Sequence, residues 1–152
     1  ILTYLDENEK QYDLVLMDVP GIKNTDSIPL YSKELYSSLN RNLAENGTVV
    51  SWIYQPASYP DHHAAYMQTV KESGFTQQLT YNAYEDVNND SDVEETEKFI
   101  ILRSGDNNRN IEVDKHQYTR QHMYSQPKWY NIQNQYVEAN SVFHPNYDII
   151  IN

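Results

Sequence analysis

The stretch Tyr12-Asp13-Leu14-Val15-Leu16-Met17-Asp18-Val19-Pro20-Gly21 constrains the fold more than any other. Leu14 to Met17 form an unbroken apolar run that ends on a carboxylate and then on a Pro-Gly turn. An apolar run without alternation reads as a strand buried on both faces, as in a parallel sheet covered by helices. In open α/β sheets, ligands bind beyond the carboxyl ends of such strands. Asp18 therefore stands where a sheet of this kind holds its chemistry.

The rest of the chain alternates helix and strand. Residues 1–9 read as the end of a helix with Leu2 and Leu5 on one face. After the strand, residues 19–29 are rich in turn formers and read as a binding loop. The spacing of Leu35, Leu39 and Leu43 predicts a helix over 31–45, with Ser32 as N-cap and Asn46-Gly47 as its stop. Residues 48–54 read as a second strand. Asp61 caps a further predicted helix over 62–73, with His63, Tyr66, Met67 and Val70 inward and Gly74 as stop. Residues 76–85 and 99–102 read as two more strands, joined as an antiparallel hairpin by an acidic loop. The remainder is rich in Tyr, Gln and Asn, with a helix predicted over 113–124. No internal repeat is visible.

Composition narrows the function classes. The 152 residues suffice for a single core. Lys and Arg number 11 against 22 Asp and Glu, a net charge of −11. Such a surface argues against nucleic acid and against anionic membranes, both of which need cationic partners. No apolar run is long enough to span a membrane. No signal peptide is visible, so a cytoplasmic location is expected. The chain begins on Ile rather than Met, so residues upstream are expected. With no Cys there is no disulfide, thiolate nucleophile or Cys-ligated metal.

Three segments carry a family resemblance. They are Tyr12 to Pro20, then Leu30-Tyr31-Ser32-Lys33-Glu34-Leu35-Tyr36, then Leu43 with Asn46-Gly47-Thr48-Val49-Val50. Together they resemble the spermidine synthases, the polyamine aminopropyltransferases. The resemblance covers roughly residues 1 to 105 and is strongest up to Val50. It implies a Rossmann-like α/β fold of the kind used by S-adenosylmethionine-dependent methyltransferases, present here as the C-terminal half of its sheet. A terminal antiparallel hairpin would close that half-sheet, and residues 106–152 would be an extension packing on it.

The implied activity is transfer of an aminopropyl group from decarboxylated S-adenosylmethionine to a diamine. The acceptor is a cationic amine that must lose a proton before it attacks. A carboxylate can hold the cation and accept that proton. Alignment of the amine with the sulfonium carbon does the rest. On this resemblance Asp18 binds the small-molecule amine, and Trp52 and Tyr54 are the aromatic neighbours that line it.

The chain departs from the family pattern in four places. Gly21 stands where the family carries its second Asp, the usual general base. Trp52 takes the place of a Gln that helps hold the amine. An acidic run replaces an aromatic, Pro-rich segment, and Asp26, in the loop that holds Gly21, is the candidate substitute for the missing general base. The Gly-rich turn of the family's first half is absent, so this chain alone is expected to bind no nucleoside cofactor. Impaired or divergent aminopropyl transfer follows. A non-catalytic interaction or ligand-binding relative is one alternative, and a methyltransferase-like enzyme on the same scaffold is another. A half-sheet also leaves strand 14–18 as an apolar edge. A missing N-terminal half, a second copy of the chain or the Tyr-rich tail is expected to cover it.

Other constellations have bland readings. Asp86, Asn88, Asp90, Asp92 and Glu97 approach the spacing of an EF-hand calcium loop. The sixth position is Ser91 rather than Gly, so a solvated hairpin is the simpler reading. His62 and His63 are neighbours and point apart on a helix, and His116, His122 and His144 have no zinc spacing. Trp52, Tyr54 and Tyr59 could stack on a cationic ligand. Together with Tyr81 and Tyr84, they fit core and lid packing as well.

Overall fold

A computed structural model describes residues 1–19, 21–22, 25–53, 59–85, 94–105 and 129–146, with side chains described outside 81–98. The elements run α1 (Leu2–Glu7), β1 (Tyr12–Met17), a 3₁₀ segment (Thr25–Tyr31), α2 (Lys33–Arg41), β2 (Leu43–Ile53), α3 (Pro60–Glu72), β3 (Gln77–Glu85), β4 (Glu94–Arg103) and β5 (Tyr130–Asn131). The predicted order of helices and strands matches this sequence of elements. The five strands form one mixed sheet in the order β1-β2-β4-β3-β5, an α/β arrangement consistent with a Rossmann-like fold. β1 and β2 are parallel, and β4 runs antiparallel to both β2 and β3.

One face of the sheet carries the core. Val15 and Met17 of β1 lie beside Val49 and Ser51 of β2. Leu102 and Ile100 of β4 continue the same rows. Leu35, Tyr36 and Leu39 of α2 and Tyr66, Met67 and Val70 of α3 pack into the same cluster. Ser32 caps α2 as its residue type predicts, with its hydroxyl accepting from the Leu35 N–H at 3.3 Å. α1 is tied to α2 through buried Asn42, whose side-chain amide donates to Leu5 O and Ser38 O.

The apolar run is a strand, but it is not buried on both faces. β1 is an edge of the sheet, and Leu14 and Leu16 are 53 % and 69 % exposed. Among the described residues, nothing pairs with the outer side of β1. The described part of the tail goes elsewhere: β5 pairs with β3, and the chain then crosses α3 to reach α2.

The boundary between α2 and β2 also differs from expectation. α2 stops at Arg41 with Asn42 as C-cap, and the segment from Leu43 is already strand. Asn46-Gly47 therefore does not end a helix. It forms an irregularity within β2, where Tyr12 pairs Leu43 while Leu14 pairs Thr48. Asn46 takes φ of 67°, the left-handed region that Asn tolerates. Two signals coincided here, since an Asn-Gly pair serves a bulge and a helix C-terminus equally well.

α3 begins two residues earlier than predicted, with Pro60 in its first turn. That position suits a residue lacking an N–H. Asp61 is thus within the helix rather than its cap, and it accepts a hydrogen bond from the Tyr136 hydroxyl at 2.8 Å. His62 is the more deeply buried of the two histidines, against expectation. The reason is that α3 is covered on two sides. Met67 and Val70 join the central core cluster, whereas 62, 66 and 69 face Tyr31 and the tail. β4 also begins earlier than predicted, at Glu94, so part of the acidic run is strand. The predicted helix over 113–124 lies outside the described residues.

Candidate functional site

The site is built on the carboxyl ends of the two parallel strands. Met17 of β1 pairs Ser51 of β2, so Asp18 leaves the sheet beside Trp52. Met17 and Ser51 are buried on the helix-covered face. Strand alternation carries the next residues, Asp18 and Trp52, to the opposite face, in line with Leu16 and Val50. Asp18 is exposed and Trp52 is half-buried opposite Phe99 of β4. A solvated carboxylate next to an indole is a place where a small cation can be held by charge and by the ring face.

The helix-covered side of the same rim is aromatic. Tyr36 and Tyr66 pack edge to face with centroids 5.6 Å apart, and Tyr31 stands 6.3 Å from Tyr66 and 6.1 Å from His62. The Tyr36 and Tyr66 hydroxyls are buried near the Ser51 hydroxyl, yet neither reaches hydrogen-bond geometry. Ser51 donates instead to Trp52 O at 3.1 Å. Burial pushes both phenols up, and Tyr66 rises well above its usual value because Tyr36 adds its own charge and hydrogen-bond competition.

After Asp18 the chain turns into the core. Ile22 is fully buried, and Ile28 and Tyr31 bury the inner side of the 3₁₀ segment. The Tyr31 hydroxyl reaches back to Val19 O at 3.5 Å. A tail residue, Asn140, completes this region: its side chain donates to Ile28 O at 3.0 Å and Tyr31 O at 3.1 Å.

Of the residues singled out in the sequence, the strand register puts Asp18 and Trp52, each one residue past the Met17–Ser51 pair, at the same rim of the sheet. Tyr54 lies outside the described residues. Gly21 is half-buried in the turn after Asp18, and Asp26 is exposed in the first turn of the 3₁₀ segment. Tyr59 is exposed just ahead of α3. Asp86, Asn88, Asp90 and Asp92 lie outside the described residues, as does the side chain of Glu97. Among the described residues no group of three His, Asp or Glu side chains could hold a metal ion. His144 is exposed, and His116 and His122 lie outside the described residues. Sequence reasoning placed Tyr66 inward but gave no role to Tyr36, Ser51 or Asn140. A helical spacing signals the first two tyrosines as buried, and nothing local signals Asn140.

These features define an α/β domain with a carboxylate at the rim of a parallel strand pair. Over about half its length the chain is similar to curated polyamine aminopropyltransferases. It is 32% identical over 72 residues to the polyamine aminopropyltransferase of Saccharolobus solfataricus, a match covering 47% of this chain and 24% of that protein. It is 33% identical over 73 residues to polyamine aminopropyltransferase 1 of Streptomyces coelicolor, covering 48% of this chain and 14% of that protein. The match thus spans a quarter or less of each relative. No protein-family model matches the chain. Among the described residues no helix is long and apolar enough to cross a membrane.

Proposed function

We propose that this chain is the C-terminal half of a spermidine synthase-like, methyltransferase-type sheet, with Asp18 as the anchor for a cationic amine. The observation that carries the reading is the position of Asp18, directly beyond a parallel strand and next to Trp52. The similarity to two polyamine aminopropyltransferases supports it. So does the parallel pair β1-β2 followed by an antiparallel hairpin, the arrangement expected of such a half-sheet.

In this reading residues 1–105 form the half-sheet and residues 106–152 an extension. Asp18 holds the protonated amine by charge, and Trp52 offers a ring face to it. No second carboxylate stands at Gly21 to take up the proton that the amine must lose. Transfer is therefore slow or lost unless another group accepts it. The described residues include no Gly-rich turn to hold the nucleoside of decarboxylated S-adenosylmethionine, so no step is assigned here to that group. The missing carboxylate favours, as a second reading, a non-catalytic relative that keeps the amine site as a binding site.

The test is transfer of a labelled aminopropyl group to putrescine by the full-length polypeptide, with putrescine binding measured alongside. Asp18→Ala is expected to weaken putrescine binding about tenfold, the size of one charge-assisted contact. Binding with no transfer selects the non-catalytic relative. Binding and transfer both undiminished in Asp18→Ala remove Asp18 from the site.

The exposed edge makes a separate demand. Leu14 and Leu16 are covered in the working protein by the remainder of such a sheet or by a second copy of this chain. The chain alone is expected to elute from gel filtration larger than a monomer, and Leu16→Glu to shift it toward the monomer. Elution of the unmodified chain as a stable monomer contradicts this.

A further inference from the structure

The tail is held to the domain in an unusual way. Among the described residues of the tail, Ile132, buried beside β5, and Val137 pack on the apolar core, and the Arg103 guanidinium lies over the Trp129 ring. The attachment from Gln135 to Val142 is chiefly polar. Gln135 N–H donates to Gln68 Oε1, and Asn140 N–H donates to Thr69 Oγ1, both at 2.8 Å on α3. The Asn140 carbonyl accepts from Lys33 N–H at the start of α2, at 2.8 Å. The Asn140 side chain spans the 3₁₀ segment through Ile28 O and Tyr31 O, and its own oxygen accepts from Asn146 N–H at 3.1 Å. Just beyond, Glu34 accepts from the Ser141 hydroxyl and from Val142 N–H.

Asn140 is 1 % exposed, so a single buried amide joins the tail, α2, α3 and the 3₁₀ segment. It also lines a small void among Ile22, Tyr31, His62, Tyr66 and Thr69 that has no room for a water molecule. Without Asn140 the Ile28 and Tyr31 carbonyls lose these bonds. None of the hydrogen bonds of Asn140 reaches β1, β2 or β4, so the strand pairing does not depend on them.

We infer that residues 137–146 are a releasable strap, with Asn140 as the latch that fixes the 3₁₀ segment behind the Asp18 rim. A strap held chiefly by polar bonds opens at lower cost than the apolar sheet beneath it. The strap and the 3₁₀ segment therefore open together as one unit, while the sheet stays folded. This holds whether or not the rim binds an amine.

Hydrogen exchange of the native chain reads the unit directly. Asn140→Ala is expected to speed exchange over residues 25–31 roughly tenfold, with residues 49–53 and 99–103 unchanged. Glu34→Gln loosens only the 141–142 end of the strap and is expected to give a smaller acceleration over 25–31, about threefold. If Asn140→Ala does not fold, Glu34→Gln decides alone. Unchanged exchange over 25–31 in a folded variant overturns the inference. Equal acceleration of the sheet peptides also overturns it, since it would mean that the strap and the sheet unfold together.

Discussion

Gly47→Ala is expected to destabilise the protein by about 2–3 kcal/mol, the cost of forcing a methyl group into a filled site. A Cβ at this position would stand 2.7 Å from Tyr12 O, 3.0 Å from Ala44 O and 3.1 Å from Ala44 N. All three atoms are backbone, so no side chain can swing aside. The conflict falls where β2 bulges against the start of β1, and relief requires the two strands to part. Thermal unfolding should drop by roughly 4–12 °C for a chain of this size. Asn46→Gly is the control. Asn46 already has φ of 67°, which glycine adopts without strain, so that variant should melt close to the parent. A Gly47→Ala protein that melts with the parent would mean that β2 does not approach β1 as described.

Tyr66→Ala should cost about 3–5 kcal/mol, the usual loss on removing a buried aromatic ring. Tyr66 is buried between Tyr36 and Tyr31, and its ring is part of the central cluster. Tyr66→Phe should cost almost nothing or stabilise, because the buried hydroxyl it removes has no hydrogen-bond partner. The pair separates ring packing from the polar group. The same residue, with Tyr36, contributes to the alkaline limit. Burial, with Tyr36 adding to it, raises the Tyr66 phenol in the folded protein. An unfolded tyrosine ionises near pH 10, so above that value the unfolded state loses a proton that the folded state keeps. Stability is then complete below about pH 10 and falls as pH rises past it. Tyr66→Phe should flatten that fall in denaturant titrations taken between neutral and alkaline pH. An unaltered alkaline limb in Tyr66→Phe would place the titrating group elsewhere.

Both predictions concern the ground on which the Asp18 rim stands. The rim needs β1 held parallel to β2, which Gly47 permits by its lack of a side chain. It also needs a firm layer beneath Ser51, which the tyrosine cluster supplies. The polar strap is a third and weaker support, placed behind the loop rather than under the sheet.

Much of this was legible in local sequence. The apolar run before Asp18 declared a strand, Ser32 declared the start of α2, and Gly74, with φ of 93°, marked the end of α3. Each is a signal read from a few neighbouring residues whose conformational preference agrees with the fold. That Asp18 and Trp52 share a rim was decided by the parallel pairing of β1 with β2. Other outcomes depended on partners distant in the chain. Whether Leu14 and Leu16 are covered depends on what lies beyond β1, which the run itself does not encode. His62 became buried because Tyr31 and the tail close over α3. Asn46-Gly47 became a bulge because Tyr12 leaves no room for a side chain. Asn140 acquired its role only when residues more than 100 positions earlier came within its reach. Local preference selects the element, whereas burial and long-range hydrogen bonding are settled when elements meet, since both depend on what the opposite surface offers.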